Sequence, residues 1–328
     1  LAACLRVMAG APRPAASTPA TAIEANLDGL DREESVSAAG EAPCVCCGAR
    51  VFLPKGRWKD HLLQRCTRCG SERLSPPPTD ERLAEIYDED YYAAWGDTGD
   101  GATAAADAMK RAFFRRSLSR LGPARAGSRL LDCGAAFGAL MEEARALGHE
   151  PFGVELNPRG ARVIAARLGA GRVFEGPFEA ARFDGEPEFD VVAMFDFIEH
   201  VREPRAVLDK ARGMLGPGGR VVICTPNPAT LGRRLMGRRW LHLKEEHLNY
   251  FTPAGIRRLL ARSGFVVESL GPARKVMTLD YLRTQLTRYP HPVLTPIARL
   301  AARLAPPSLR ARHFPARFGE VLVVARRQ

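Results

Sequence analysis

A short strand that runs into a glycine-bearing turn and then into a helix constrains the fold of this chain most. The apolar pair Leu130 and Leu131 leads to Asp132, and Gly134 and Gly138 precede helix-forming residues. Such a junction points backbone N–H groups at whatever lies above the carboxyl edge of a parallel sheet, where open α/β sheets bind their ligands. The pattern therefore predicts a ligand site at this junction.

A second acid lies at the end of the next predicted strand. The short run 151–154 ends at Glu155. A carboxylate in that place can accept hydrogen bonds from both hydroxyls of a ribose. The alternative is that Gly134 and Gly138 only shape a turn and that Asp132 is a solvated strand end. Glu155 makes that alternative less favourable, because both acids would then lie at the same sheet edge by coincidence.

The first of these segments resembles the opening motif of the class I S-adenosylmethionine-dependent methyltransferases, which reads acid-x-Gly-x-x-x-Gly. The motif stands here as Asp132, Gly134 and Gly138. Its spacing differs from the G-x-G-x-x-G of dinucleotide-binding folds, which serves a pyrophosphate. The resemblance implies S-adenosylmethionine as cofactor and a doubly wound, mostly parallel α/β sheet of seven strands, Rossmann-like, with the last strand antiparallel.

The alternation of strand and helix patterns along the chain fits such a sheet with right-handed crossovers. The predicted strands are 129–132, 151–155, 172–175, 189–195, 219–224, 265–270 and 320–325. The predicted helices are 81–92, 104–121, 138–147, 159–168, 204–215 and 253–263.

We expect four regions along the chain. They are a disordered leader over 1–43, a zinc-ribbon-like module over 44–78, a helical connector or cofactor lid over 79–122, and a methyltransferase domain over 123–328 with a helical insertion at 272–319. The insertion has apolar positions at helical spacing beside many arginines. This pattern suits either a lid over the acceptor or a helix on a membrane surface.

The composition is that of a soluble globular protein with a sizeable core. The 328 residues are 46% hydrophobic and 26% charged, and no apolar run approaches the length of a membrane span. The net charge of +11 suits an anionic partner such as nucleic acid, an anionic glycan or a membrane surface. It equally suits a genome that uses arginine freely, and the scattered arginines favour that explanation.

Two C-x-x-C pairs, each followed by a glycine, predict one structural zinc ion. The predicted ligands are Cys44, Cys47, Cys66 and Cys69. Cys46 is a surplus thiol, and His61 is a substitute ligand that four cysteines make unnecessary. Without a signal peptide, such pairs indicate a reducing compartment, and we expect a cytoplasmic protein. A closed site of this kind folds a module and leaves no open position for catalysis.

The cysteine module, a proline-rich connector and three tyrosines resemble the leader of a bacterial methyltransferase subgroup, of type 11/23. The tyrosines are Tyr87, Tyr91 and Tyr92. The resemblance implies that this segment covers the cofactor mouth, where the tyrosines touch cofactor or acceptor. The alternative is that they pack a helix onto the next domain.

The resemblance also implies further cofactor contacts. Residues after the third strand of the sheet, Phe178 and Glu179, would lie against the adenine, although Phe178 is equally suited to the core. Phe195, at the end of the fourth strand, would brace the methionine part of the cofactor.

Candidate catalytic residues follow the fourth and fifth strands. The segment 196–200 resembles the E-x-x-E-H of quinone-type O-methyltransferases, so Asp196, Glu199 and His200 are candidate ligands of a divalent cation. The alternative is that His200 orients the loop. His247 is the candidate general base, with Glu245 and Glu246 expected to raise its basicity. Its alternative role is to tie the loop to the sheet.

The predicted function is methyl transfer to oxygen of a small, glycan-linked or lipid-linked acceptor. The chain lacks the D/N-P-P-[YFW] motif and the Pro-Cys nucleophile after the fourth strand, and both absences disfavour nucleobase chemistry. Two alternatives stay open. One is an RNA methyltransferase that grips RNA through its cysteine module and basic charge, and the other is a non-catalytic protein that binds the cofactor or a partner.

Overall fold

A small antiparallel sheet and the first helices make up the amino-terminal part of the protein. The computed structural model describes residues 42–87, 101–185, 188–288, 290–317 and 319–328, so Tyr91, Tyr92 and the predicted leader up to residue 41 lie outside it. The first elements are β1 (Phe52–Trp58), β2 (His61–Cys66), β3 (Glu72–Ser75), α1 (Asp80–Ile86) and α2 (Gly101–Leu118).

Seven strands form the central sheet. They are β4 (Arg129–Cys133), β5 (Glu150–Glu155), β6 (Val173–Glu175), β7 (Phe189–Phe195), β8 (Leu215–Pro226), β10 (Phe265–Pro272) and β13 (Glu320–Arg327). Their order across the sheet is β10-β13-β8-β7-β4-β5-β6. β13 is antiparallel to both of its neighbours, whereas β4 to β8 pair in parallel. The predicted fold class is therefore confirmed, including the antiparallel last strand.

Helices connect the parallel strands, and local sequence signals mark where two of these helices begin. They are α3 (Ala139–Ala146), α4 (Pro158–Leu168), α5 (Pro204–Met214), α6 (Leu231–Met236) and α7 (Pro253–Arg262). The Asn157 side chain accepts the Arg159 N–H at the start of α4, and Thr252 caps α7 in the same way. A polar cap followed by proline satisfies donors that the first helical turn leaves unpaired.

The core lies on both faces of the central sheet because successive strand residues point to opposite sides. On one face Leu131, Val192 and Ile223 belong to one buried cluster. On the other face Leu130 and Val222 belong to a second cluster, with helix α2 packed over it. Burial of each such side chain contributes roughly 1.5–3 kcal/mol. Covered faces leave the carboxyl edge of the strands as the place for a ligand.

The described part of the segment between β10 and β13 forms a two-stranded sheet and three helices. It contains β11 (Lys275–Met277), α8 (Leu279–Arg288), α9 (Leu294–Leu304), α10 (Pro307–Arg310) and β12 (Phe314–Ala316). The structure adds a pairing of β11 with β12 that the sequence did not predict. Within the described residues, no helix combines the length and apolar character that a bilayer crossing needs.

The part of the chain that forms the central sheet also contributes a strand to the amino-terminal sheet. The short strand β9 (Asn249–Tyr250) pairs with β3, which gives the order β1-β2-β3-β9. Glu72 pairs with Tyr250 and Arg73 with Asn249. This pairing fixes the cysteine module against the loop that carries His247.

Candidate active site

The turn after β4 is tied to the end of β5. Asp132 and Cys133 pair with Gly153 and Val154 of the neighbouring strand. The backbone N–H of Gly134 donates to the Val154 carbonyl at 2.9 Å. This register brings the two acids that the sequence analysis selected to one edge of the sheet.

Gly134 and Gly138 both have left-handed backbone conformations, with φ of 78° and 84°. A Cβ on Gly134 would lie 3.0 Å from the Phe197 ring, and one on Gly138 would lie 3.1 Å from the Ile164 side chain. Only glycine combines this backbone with so close an approach. The turn therefore needs both glycines, as the motif predicted.

The Glu155 carboxylate faces the turn rather than solvent. It accepts the N–H of Ala136 at 2.5 Å and the N–H of Asn157 at 2.7 Å. Glu155 is 4% exposed, and burial raises its pKa to about 7. Each carboxylate oxygen has a further lone pair, so Glu155 can also accept two ligand hydroxyls.

Asp132 is the second buried acid of this edge. It is 3% exposed, and burial, followed by the nearby charge of Glu155, raises its pKa to about 8. Two acids that share a buried edge suit a ligand that brings hydroxyl donors and a positive charge. The pairing of Asp132 with Gly153, two residues before Glu155, places both acids at the same end of these strands.

The aromatic candidates occupy two different places. Phe178 is buried and lies edge-on to Phe197, with 6.0 Å between ring centroids, while Glu179 beside it is exposed. Phe195 points to the other face of the sheet, where its ring meets Phe114 of α2 at 5.3 Å. Phe197, which no local pattern singled out, joins Phe178 to the glycine turn.

Two histidines meet beyond the ends of β7 and β8. The rings of His200 and His247 are 4.6 Å apart and nearly perpendicular. The Tyr87 hydroxyl lies 2.7 Å from His200 Nδ1. His247 Nδ1 lies 2.8 Å from the His242 carbonyl oxygen, which can only accept, so Nδ1 carries the proton. The neutral His247 ring therefore keeps Nε2 as its acceptor nitrogen.

Burial keeps both rings neutral. It lowers the pKa of His200 to about 4, and burial, followed by neighbouring His200, lowers the pKa of His247 well below its usual value. The expectation that Glu245 and Glu246 raise the basicity of His247 is therefore wrong. Desolvation of the charged ring outweighs both acids, and both carry nearby cations of their own.

A potential cation site differs in one member from the predicted set. Ligand atoms of Glu199, His200 and His247 lie within 4.8 Å of one another. Glu199 is fully buried, Thr225 donates to its Oε2 at 2.9 Å, and its Oε1 has no hydrogen-bond partner among the described residues. The buried Oε1 fits a cation or a ligand donor.

Asp196, the remaining predicted ligand, instead faces a basic residue from the insertion. Its Oδ2 lies 3.8 Å from Lys275 Nζ, which is 2.5 Å from Glu320 Oε1. Asp196 also has a left-handed φ of 49°, a conformation uncommon outside glycine. The sequence holds no signal for Lys275 or Glu320, because both are remote from the loop that they meet.

The four predicted zinc ligands converge. The Sγ atoms of Cys44 and Cys69 lie 3.6 Å apart, as do those of Cys47 and Cys66, and all four lie within 4.8 Å of one another. Gly48 and Gly70 both have φ of 73°, so the two turns have the same form. Four thiolates in this arrangement suit tetrahedral Zn²⁺.

The other two candidates in the module, Cys46 and His61, are not among these four converging ligands. Cys46 Sγ lies 3.5 Å from Ser71 Oγ, outside the group of four. His61 Nδ1 lies 2.7 Å from the Pro76 carbonyl oxygen. The module also attaches to α7, because the Thr252 hydroxyl donates to the Cys69 carbonyl at 2.7 Å.

Comparison with known families gives a match over half of the chain. A profile described as a methyltransferase domain matches residues 106–270. That span contains both acids, the glycine turn and both histidines.

Curated relatives match over a similar part of the chain. It is 34% identical over 136 residues to a ubiquinone biosynthesis O-methyltransferase of Cereibacter sphaeroides, covering 40% of this chain and 54% of that protein. It is 28% identical over 155 residues to a protein of the same name from Aeromonas salmonicida, covering 44% and 65%. The chain thus spans about half the length of the first of these relatives.

Among solved structures, the crystal structure of Burkholderia thailandensis 1,6-didemethyltoxoflavin-N1-methyltransferase with bound 1,6-didemethyltoxoflavin and S-adenosylhomocysteine is similar. It is 18% identical, with a TM-score of 0.48, and the match covers 84% of this chain and 99% of that chain.

Proposed function

We propose, since this chain belongs to the family of methyltransferase domains, that it transfers the methyl group of S-adenosylmethionine to a hydroxyl oxygen of a small-molecule acceptor. The observation that carries the proposal is the buried pair Asp132 and Glu155 beside the glycine turn, inside the matched residues. The curated relatives named O-methyltransferases support oxygen as the acceptor atom.

The residues at this edge of the sheet fit S-adenosylmethionine. Glu155 has lone pairs available for the two ribose hydroxyls, and the raised pKa of Asp132 would return towards its usual value beside the positive charges of the cofactor. Phe178 and Glu179 would lie at the adenine end, and Phe195 would brace the strand end from its opposite face. Gly134 lets the turn approach closely.

The reaction needs little more than alignment and one proton acceptor. Bound S-adenosylmethionine supplies a methyl group that its sulfonium has already activated for in-line displacement. The chain must orient the acceptor hydroxyl and exclude water. His247 Nε2 then accepts the hydroxyl proton, because its Nδ1 is held as a donor by the His242 carbonyl. His200 and Tyr87 hold the His247 ring in place.

The same atoms offer a second role for His247. Glu199, His200 and His247 would hold a divalent cation that positions the acceptor oxygen, and the mixed nitrogen and oxygen set suits a transition metal better than Mg²⁺. His247 Nε2 cannot accept a proton and bind a cation at the same time. An experiment can therefore distinguish the two roles. Turnover that depends on added Mn²⁺, and loses that dependence in Glu199→Gln, would assign the ligand role.

The four cysteines would hold a structural zinc ion. A closed set of four thiolates leaves no position for a substrate, so the zinc would fold the module and support the loop of His247.

The test is transfer of labelled methyl from S-adenosylmethionine to phenols, catechols and sugar alcohols, with mass analysis of the product. We expect methyl ether formation and calorimetric binding of S-adenosylhomocysteine. Gly134→Val should abolish that binding, because its side chain would strike Phe197. Gly213→Ala, in open space on α5, is the matched control and should bind normally. Absence of cofactor binding by the unaltered protein would overturn the proposal.

A further inference from the structure

Helix α9 turns its large side chains outward and its small ones inward. Its buried residues are Thr295, Ala298 and Ala302. Four large aliphatic side chains at spacings of four, three and four residues are exposed by 59%, 57%, 57% and 77%: Val293, Ile297, Leu300 and Leu304. That spacing places them on one stripe of the helix and its first turn. We call these four residues the apolar stripe.

The orientation of α9 is fixed by polar contacts at its start. The Thr295 hydroxyl donates to the Leu286 carbonyl of α8 at 2.9 Å. His291 Nδ1 accepts the N–H groups of Val293 and Leu294, each at 3.2 Å. The helix therefore cannot rotate the stripe towards the core without breaking the bond between Thr295 and Leu286.

The segment that contains the apolar stripe has basic side chains and no acidic ones of its own. Residues 281–319 contain seven arginines and no aspartate or glutamate. Arg299 and Arg303 lie exposed on α9 at one side of the stripe, and Arg312 and Arg317 are exposed further on. Asp280, just before this segment, is near Arg283 and Arg310. Arginines occur along the whole chain, and what sets this segment apart is that it carries no acidic residue to balance them.

We propose that this face of the insertion binds the surface of an anionic lipid bilayer. The apolar stripe would enter the boundary between headgroups and acyl chains, and the arginines beside it would contact lipid phosphates. One surface then satisfies both features, since a bilayer offers an apolar interior beneath an anionic plane. These features belong to the insertion alone and are independent of the methyl acceptor.

Other occupants fit less well. A second copy docked through the same face would bring two sets of exposed arginines together, and like charges repel. RNA would match the charge, but it offers no apolar interior for four large aliphatic side chains. The bilayer is therefore the occupant that the observations favour.

The test is co-sedimentation of the full chain with vesicles of phosphatidylcholine alone or mixed with phosphatidylglycerol. We expect binding only to the anionic vesicles, with weaker binding at higher salt. Leu300→Asp should reduce binding at least tenfold, and Arg299→Glu at least about fivefold. Leu53→Asp, an exposed leucine on β1 of the cysteine module, is the matched control and should bind normally.

A variant that gains a fluorescence signal on binding distinguishes membrane contact from the effects of misfolding. Ile297→Trp should show a blue-shifted fluorescence emission on adding anionic vesicles and no shift with neutral ones. Four outcomes would each overturn the proposal. They are equal binding to neutral vesicles, equal losses in Leu300→Asp and Leu53→Asp, a dimer that Leu300→Asp dissociates, and an RNA complex that is the sole binding activity.

Discussion

Arg82 donates two hydrogen bonds to Glu245, from Nε to Oε1 at 2.6 Å and from Nη2 to Oε2 at 3.1 Å. Lys59, in the turn between β1 and β2, donates to the same carboxylate at 2.6 Å. Helix α1 and the cysteine module therefore hold the loop at Glu245, two residues before His247. These bonds, with that of Arg82 first, lower the pKa of Glu245 to about 2, so the carboxylate stays charged at neutral pH.

Breaking the hydrogen bonds to Glu245 should impair turnover more than cofactor binding. Because the loop that carries His247 would lose its anchor, Glu245→Gln should lower kcat by about tenfold to a hundredfold while the affinity for S-adenosylhomocysteine stays unchanged. Glu85→Gln is the control, because Glu85 also pairs with Arg82 but is 68% exposed and lies on α1 itself. Steady-state kinetics and calorimetry separate the two effects. Equal kcat values in both variants would refute the anchoring role.

Asp132→Asn should stabilise the protein and abolish cofactor binding. The pKa of Asp132 is about 8 in the folded state against its usual 3.8, so the folded state binds more protons than the unfolded state between about pH 4 and 8. Stability is therefore lost as pH rises through that window. At pH 8 the variant should unfold at least about 2–4 °C higher in thermal scans, equivalent to about 1 kcal/mol.

Asp190→Asn is the matched control at the opposite end of the sheet. Although burial opposes it, hydrogen bonds from the Arg129 N–H and from Arg125 hold the pKa of Asp190 below its usual value. The contribution of Asp190 to folding stability is present above its usual pKa and is lost as the pH falls through its lowered pKa. This variant should be less stable at pH 8 and should bind cofactor normally. A destabilised Asp132→Asn at pH 8 would contradict the pKa argument.

His247→Gln should reduce turnover by roughly a hundredfold or more, since a positioned base contributes that much. Because burial lowers the pKa of His247 well below 6.5, turnover of the unaltered protein should stay level from pH 8 to about pH 6. The pH profile and single-variant kinetics check both statements. His149→Gln is the control. His149 is also buried, but it lies just before β5, where its Nδ1 is 2.9 Å from Ser128 Oγ. Full activity of His247→Gln would dismiss the base.

Loss of one zinc ligand should weaken the whole site. Cys66→Ser should remove zinc, lower the unfolding temperature and reduce turnover, because β3 and β9 join the module to the loop of His247. Elemental analysis should find one zinc per unaltered chain. Cys46→Ser, outside the ligand group, should keep its zinc. A zinc-free protein with full stability would argue against a structural metal.

The sequence predicted most strands and helices of the central sheet to within one or two residues, although β8 begins four residues before its predicted start. The reason is that periodic burial, helix caps and glycine turns are local: β7 has its predicted bounds, and α4 begins within one residue of its prediction. The motif carried by Asp132, Gly134 and Gly138 is local in the same sense. Adjacent parallel strands then place Glu155 beside it.

Only the tertiary structure decided which side chains act on one another. Lys59 and Glu245 are 186 positions apart, and Lys275 reaches Asp196 from the insertion. The low pKa of His247 likewise depends on how deeply the fold buries it, which its neighbours in sequence do not reveal. Contacts and desolvation arise from packing, so no local pattern contains them.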